Sequence, residues 1–344
     1  MERDNSIDIA KTLGIALVVL GHIQGYGEST GLLHLRNFIY QFHVPLFFFL
    51  SGFLFNETEE WTIFLEKKIK RLYIPYIVWN LFFFAINLTA QIIAGNSYAP
   101  TDAVKHCFKI LLGIAVTPLG GATWFLITLL ESLLLYKLLT TLFNKPNIKT
   151  FTIILLATLI IGISGILVRM PYGLEKALVA LFFVCIGHLA NKFRILEHLG
   201  NRQRIPIMIS GFLIVWLLST MNNADMAFHE YGNLIIYLVS AIIGIFSTII
   251  LSSCISQISQ LAFLGRWGSV TIWVLIWHLL AFKTVTLLQI CLFRQSWKVL
   301  FSFPCYNVES FWPLLYFIAG FFLPIAAAYI YKFKFCNQWQ GSLS

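Results

Sequence analysis

The sequence predicts an all-α integral membrane protein, a bundle of about ten transmembrane helices with both termini in the cytoplasm. Three observations carry that expectation. Of 344 residues, 58% are hydrophobic and 11% charged, far from the balance of a soluble globular domain. Ten apolar windows are long enough to cross a bilayer. The basic residues gather in alternate connections between those windows.

The windows cover residues 7–24, 39–56, 73–94, 122–143, 151–168, 176–191, 205–221, 231–252, 268–290 and 312–331. The first is interrupted by Asp8 and Lys11, and no small-residue cleavage site follows it. It therefore reads as a retained anchor and not as a cleavable signal peptide. In the third, Pro75 sits in the first turn, where a missing N–H is tolerated. Asn80, Phe84, Asn87 and Gln91 share one face of that helix, and amides in lipid prefer a neighbouring helix or a cavity. Residues 104–117 are apolar but too short and too charged to span, which suits an interfacial or re-entrant helix. The fourth window opens with Thr123 and Trp124 and holds Glu131 and Lys137 well inside. The fifth and seventh lack comparable polar content and read as packing elements. The ninth follows the short loop LGRWGS and contains His278 and Lys283. Without an internal repeat or a long linker, one membrane domain over residues 1–344 is expected.

Orientation follows from the loop cations. With the N-terminus inside, the inner segments collect Arg3, the Lys67–Arg71 cluster KKIKR, Lys145, Lys149, Lys192, Arg194, Arg202, Arg204, Arg266, Lys332 and Lys334. The outer segments hold Arg36, Lys105, Lys109, Arg169, Lys176, Arg294 and Lys298, half as many, and the excess marks the cytoplasmic side. The same asymmetry accounts for the net charge of +9; no basic face interleaved with aromatics points to nucleic acid. The six cysteines show neither C-x-x-C nor ligand-like spacing with histidine, so no metal site or disulfide framework is indicated, although a bridge between Cys291 and Cys305 is conceivable.

Ionisable side chains inside apolar windows carry the chemistry. Burying one in hydrocarbon costs at least a few kcal/mol, so such groups face a protein interior or a wet cavity and mark functional pathways. On a helix turning about 100° per residue, His22 returns to within about 20° of the face of Lys11, some 16 Å further along the axis. Asp8 falls near the same stripe, three residues before Lys11 and within reach of an ion pair.

These residues resemble those of the acyltransferase-3 family, multi-span bacterial enzymes that move an acyl group, usually acetyl from acetyl-CoA, onto a hydroxyl of a sugar or glycan. The family pattern D-x-x-[RK]-x10-H is similar to Asp8, Lys11 and His22. F-H-x-P-L-F-F-F-x-S-G-[FY] appears as Phe42 to Phe53, K-x-x-R-L-x-x-P-Y as Lys68 to Tyr76, and W-F-L as Trp124 to Leu126. F-x-x-x-G-x-L appears near Phe182 to Leu189, and L-G-R-x-[ST] followed by an intramembrane histidine resembles Leu264 to Ser269 and His278. Lys11 stands where many members have arginine, and lysine meets phosphate as a point charge without a bidentate fork. His188 stands where the family often has tyrosine. The stand-alone length is similar to members that modify capsular polysaccharides or exopolysaccharides, including the fucose 4-O-acetylase-like group.

The resemblance implies an acyl-CoA-dependent O-acyltransferase of the bacterial cytoplasmic membrane, with acyl-CoA, a glycan acceptor and the bilayer as partners and no permanently bound cofactor. Acyl transfer needs a base for the hydroxyl proton, a donor to the developing oxyanion and a grip on each substrate. His22 is the candidate base, with an acetyl-histidine intermediate as a second version of its role. Lys11, Lys68, Arg71 and Arg266 are candidates for the CoA phosphates, and the Lys11-to-His22 separation is comparable with a phosphopantetheine arm. His43 is a candidate to orient His22, to donate to the oxyanion or to bind the sugar. Asp8, Glu131, Trp124 and His278 are candidate substrate residues. Structural alternatives stand beside these: an Asp8–Lys11 ion pair, ordinary loop charge for Lys68, Arg71 and Arg266, a Glu131 pair with Lys137 or a histidine, packing or the interfacial belt for Trp124, a cross-helix hydrogen bond for His22, and an interfacial position near a helix end for His43. Ser51 and Gly52 read as a close helix contact, since no base adjoins the serine. His188 reads as structural. A transporter or flippase for a polysaccharide or lipid-linked sugar is the alternative function, and a non-catalytic partner in a synthase complex a third. The first predicts broken helices in paired halves, which the sequence does not display. G-x-S-x-G, H-E-x-x-H and P-loop patterns are absent.

Overall fold

Apolar windows become helices wherever the backbone must satisfy its own hydrogen bonds, and each predicted window contains helix. The structure, a computed structural model, describes residues 5–93, 95, 99–143, 148–170, 173–195 and 200–340. Arg3 and Lys145 lie outside the described residues, as does the side chain of Lys334. The α-helices are α1 (Asn5–Gly21), α2 (Thr30–Tyr40), α3 (His43–Phe53), α4 (Trp61–Lys68), α5 (Ile74–Ile93), α6 (Pro100–Leu111) and α7 (Trp124–Leu142). They continue with α8 (Ile148–Leu167), α9 (Leu174–Lys192), α10 (Asn201–Ser219), α11 (Leu234–Ser256), α12 (Leu264–Gly268), α13 (Thr271–Phe293) and α14 (Trp312–Gln340). Among the described residues, seven helical stretches are long and apolar enough to cross a membrane: Trp61–Ile93, Gly121–Leu142, Lys149–Leu167, Leu174–Lys192, Leu234–Ser256, Thr271–Phe293 and Trp312–Lys332.

Three expected spans are not among the seven. α1 has 17 residues and carries Asp8 and Lys11. α10 opens on the polar turn Asn201–Arg204. The window 39–56 is broken at Gln41 and Phe42, leaving α3 with 11 residues. Tertiary contacts explain the break. Gln41 is fully buried; its amide donates to the carbonyl of Asn222 at 2.8 Å, and Asn222 donates back to Gln41 Oε1 at 3.1 Å. Phe42 fills the place that a side chain on Gly244 would need. The stretch expected at 104–117 forms helix as α6, which Tyr73 docks by donating to the Leu111 carbonyl at 2.6 Å.

The chain folds as two compact units, residues 1–39 with 248–344 and residues 40–247. In the first, α12 lies against α1 because Gly265 and Gly268 have no side chain: a Cβ on Gly268 would overlap the backbone of Asp8, and one on Gly265 the side chain of Asn5. Thr12 Oγ1 donates to the carbonyl of Leu264 at 2.8 Å across the same contact. Gly320 of α14 admits the ring of Phe282 from α13. The connection before α14 straps down the segment that follows His22. Cys305 N–H donates to Gln24 O at 3.1 Å, and Tyr26 N–H to Tyr306 O at 2.8 Å. Lys283, the second ionisable group of α13, donates to the carbonyls of Ser302 and Pro304, so its charge is spent on holding that connection. Cys291 is exposed, Cys305 is buried, and both are free thiols; the bridge entertained between them is not formed.

In the second unit, α3 and α9 meet at a reciprocal glycine contact. Gly52 faces the backbone of Val184 and Gly187 the backbone of Phe49, so small residues let two helices approach closely. Lys137 donates to the backbone carbonyls of Glu57 and Glu59 at 2.8 and 2.6 Å. Of the partners the sequence left open for Glu131, Lys137 is held instead by these two carbonyls. His188 is buried against Tyr136, Nδ1 to hydroxyl 2.7 Å.

Candidate active site

The site candidates divide between the two units. In the first, α1 carries Asp8 and Lys11 and delivers His22 just past its last residue, Gly21. Asp8 is buried and Lys11 reaches it at 3.0 Å, an i,i+3 pair of the kind helix geometry permits. Because α12 is seated on the start of α1, Arg266 comes to the same place. Asn5, Asp8, Gly265, Arg266, Ser269 and Tyr329 line an open cavity of about 360 Å³. Arg266 is exposed there.

His22 and His278 meet at the other end of α1. Their ring centroids are 5.0 Å apart at an interplanar angle of 65°. His22 is half-buried and His278 fully buried. Each ring is held by the carbonyl one turn earlier in its own chain: His22 Nδ1 lies 2.7 Å from Val18 O, and His278 Nδ1 2.8 Å from Val274 O. A carbonyl only accepts, so both Nδ1 atoms carry the proton and both Nε2 atoms of the neutral rings carry a lone pair. His278 Nε2 has no partner among the described residues, and an unsatisfied buried acceptor asks for an explanation. The arrangement offers two imidazole bases side by side, one reachable and one enclosed.

His43, Lys68, Arg71, Trp124 and Glu131 belong to the second unit. His43 is the first residue of α3, buried, with Tyr40 stacked on it at 4.9 Å. The basic cluster straddles the end of α4, with Lys67 and Lys68, and a π-helical turn, Ile69–Tyr73, with Lys70 and Arg71; such turns recur at functional sites. There Lys67 pairs with Glu59 and Lys70 with Glu66. Lys68 lies over the ring of Phe64, centroid 5.2 Å, and Arg71 is exposed. Asn80 does find a neighbour, as a polar face in lipid requires. Its Nδ2 donates to Thr123 Oγ1 at 2.7 Å and its Oδ1 accepts from Thr117 N–H at 3.0 Å, which pins the turn that presents Trp124. Lys176 of α9 lies 5.2 Å from the centre of the Trp124 ring.

Sequence reasoning did not anticipate Glu175, His229 and Tyr231. Glu175 is buried in the first turn of α9 and lies 3.8 Å from the Nδ1 of His229. Burial holds the imidazole of His229, in the connection before α11, below its usual range, and Tyr231 is buried beside it. The visible signal was an H-E-Y triplet in a short connection between apolar windows, which by itself reads as loop.

Known proteins supply the context. A family model described as an acyltransferase domain, that of the acyltransferase-3 family, matches residues 4–333. The chain is also similar to Nodulation protein NolL of Mesorhizobium japonicum, 30% identical over 154 residues, which cover 42% of this chain and 38% of that protein. It is 29% identical over 201 residues to Nodulation protein NolL of Sinorhizobium fredii, covering 54% of this chain and 48% of the relative. The chain thus spans less than half the length of the curated relatives it matches. No solved structure matches it. With a match over nearly its whole length and a scaffold of apolar helices, this multi-pass membrane chain belongs to the acyltransferase-3 family.

Proposed function

We propose that the protein is an O-acyltransferase of the bacterial cytoplasmic membrane, with ten spans and both termini inside. It moves an acyl group, acetyl in the simplest case, from cytoplasmic acyl-CoA to a sugar hydroxyl of a cell-surface or extracellular polysaccharide. The observation that supports it most is the histidine pair: two rings locked through Nδ1, with lone pairs on both Nε2 atoms. A hydroxyl is a poor nucleophile until its proton is taken, and a neutral imidazole suits that task near neutral pH. His22 Nε2 accepts the proton as the acceptor oxygen attacks the thioester carbon. The carbon–oxygen bond forms, the carbon–sulfur bond breaks, and the imidazolium returns the proton to the departing thiolate. His278 Nε2 provides a second acceptor that orients the hydroxyl.

The cavity at the other end of α1 suits the phosphates of the donor. Arg266 supplies an exposed guanidinium able to bind phosphate in a bidentate fork. Lys11 neutralises Asp8, which would otherwise repel an anion there. In the second unit, Lys68 at the end of α4 and Arg71 on the π-helical turn that follows are cationic candidates of their own, in a connection given to the cytoplasm.

The test compares the surface glycans of a deletion strain complemented with the intact gene or with His22→Ala, at matched membrane abundance. Mass spectrometry and proton NMR of the glycans are expected to show O-acyl groups only with the intact gene. The initial rate of transfer in isolated membranes is expected to fall by about 10²–10⁴ for His22→Ala, the usual worth of a general base. Full acylation with His22→Ala in place removes His22 from the mechanism. Loss of glycan export in the deletion strain favours the transporter reading.

A further inference from the structure

In the first unit, α13 and α14 carry buried polar side chains that neither helix needs for itself. Gln289 and Thr286 of α13 and Tyr316 of α14 are fully buried. A glutamine enclosed among apolar side chains is costly unless its amide is paired, and both of its polar atoms are. Gln289 Nε2 donates to Asn307 O at 2.8 Å. Its Oε1 accepts from Asn307 N–H at 3.4 Å and from the Tyr316 hydroxyl at 2.9 Å. The Tyr316 oxygen in turn accepts from Tyr306 N–H at 3.1 Å and lies 3.0 Å from the Thr286 hydroxyl. Gln289 thus takes both main-chain groups of Asn307, as a neighbouring strand would, and Tyr316 takes the N–H before them.

The other edge of the same short segment holds the residues that follow His22. Cys305 N–H donates to Gln24 O at 3.1 Å, Tyr26 N–H to Tyr306 O at 2.8 Å and Val308 N–H to Tyr26 O at 3.0 Å, and Tyr26 and Asn307 form a parallel bridge. Gly25 permits the approach, since a Cβ there would lie 2.6 Å from the carbonyl oxygen of Tyr306. Irregular backbone among apolar helices has to find its partners in the protein, and each N–H from Cys305 to Val308 has one in this pairing. His22 stands one residue past the end of α1, where the chain leaves the helix for the pairing. Its N–H is still 3.2 Å from the carbonyls of Val18 and Val19, and its Nδ1 bond to Val18 O depends on the backbone leaving in that direction.

We infer that Gln289 and Tyr316 are positioning residues for His22: they grip the far edge of residues 305–308, whose near edge fixes the backbone that carries the imidazole. That this serves acyl transfer rests on the proposed role of His22; the grip itself does not. A network that only joined α13 to α14 would be complete with the contact between Thr286 and Tyr316, whereas most of these bonds leave the two helices for the main chain of Tyr306 and Asn307. Lys283 holds the start of the same connection through the carbonyls of Ser302 and Pro304. One helix therefore does two things for His22. α13 brings the ring of His278 against it, and from Gln289, about three turns further on, it fixes the segment behind it.

The experiment uses the full-length protein in nanodiscs, and its first readout needs no substrate. Gln289→Leu releases the far edge with an apolar side chain of similar size, Tyr316→Phe removes one hydroxyl, and Gly25→Ala wedges the pairing apart from the near edge. Thr284→Val loses only a bond to Ala281 within α13 and is the control. Carbethoxylation of His22 by diethyl pyrocarbonate is read by peptide mass spectrometry against that of the exposed His34 on α2. The ratio of the two rates is expected to rise about tenfold in Gln289→Leu and in Gly25→Ala, the worth of one or two hydrogen bonds, to rise also in Tyr316→Phe, and to match the wild type in Thr284→Val. General weakening of the fold would move both histidines together. In isolated membranes supplied with radiolabelled acetyl-CoA, kcat is expected to fall in the same three variants with KM for acetyl-CoA little changed. The inference is overturned if the ratio in Gln289→Leu and Gly25→Ala equals that of the wild type, or if Thr284→Val shifts it as far. It is overturned as well if kcat is unchanged in variants with a shifted ratio while His22→Ala abolishes transfer. A shifted ratio in a protein that transfers no acyl group, or that transfers it equally well as His22→Ala, sinks the proposed function and leaves the grip on His22 standing.

Discussion

His22 and His278 reach the same state by the same local device: each ring donates from Nδ1 to the carbonyl four residues earlier, which turns Nε2 into the basic atom. The sequence put His22 on the stripe of Lys11 from helical periodicity, and the structure sets it one residue past the end of α1. The sequence offered His278 only as a substrate residue, since the meeting of two helices at one spot is not a property of either. His278→Asn tests the pairing at this scale. The amide retains a donor near the position of Nδ1 and removes Nε2, so the bond to Val274 can persist while the enclosed acceptor is lost. Acyl transfer in isolated membranes is expected to fall about tenfold or more, within the range of acid–base contributions, with the unfolding midpoint in detergent little changed. Equal activity for His278→Asn and the wild type would reduce His278 to packing.

At the scale of the element, glycine decides which helix faces meet. Gly52 and Gly187 bring the α3 and α9 backbones together, and Gly265 and Gly268 seat α12 on α1 so that Arg266 reaches the cavity beside Asp8. The motif FHVPLFFFLSG is therefore a packing surface at its C-terminal end, as Ser51 and Gly52 suggested from composition. A methyl group on Gly52 would press into the carbonyl of Val184, and overpacking of this kind costs about 1–3 kcal/mol. Gly52→Ala and Gly187→Ala are each expected to lower the unfolding midpoint in detergent. Gly31→Ala on α2, where the nearest atom to a new Cβ is the Ser29 hydroxyl at 3.9 Å, is expected to leave it within error. A midpoint for Gly52→Ala equal to that of Gly31→Ala would refute the close contact. The break before α3 was invisible to hydropathy for the same reason: Gln41 and Asn222 find each other across 181 positions of sequence.

For the whole molecule, the open quantity is the path of the chain through the bilayer. Among the described residues, seven stretches satisfy length and hydropathy on their own, and the ten-span proposal adds α1, the broken second window and α10. Alkaline phosphatase fusions discriminate at α10, because a span there places Arg194 and His229 on opposite sides. Fusion after Arg194 is expected to be inactive and fusion after His229 active; equal activity would show that α10 does not cross. By itself the sequence determined the helical membrane class, the reach of Lys11 to Asp8 on one helix, and the family, since these depend on local hydropathy, helical period and short motifs. Only the tertiary structure decided that His278 joins His22, that Lys137 and Lys283 bind backbone carbonyls instead of acids, and that Glu175, His229 and Tyr231 gather at one place. Periodicity defines which residues share a face of a helix, but which faces meet is set by close backbone approach and by the hydrogen bonds that buried polar groups must find, and both depend on partners distant in sequence.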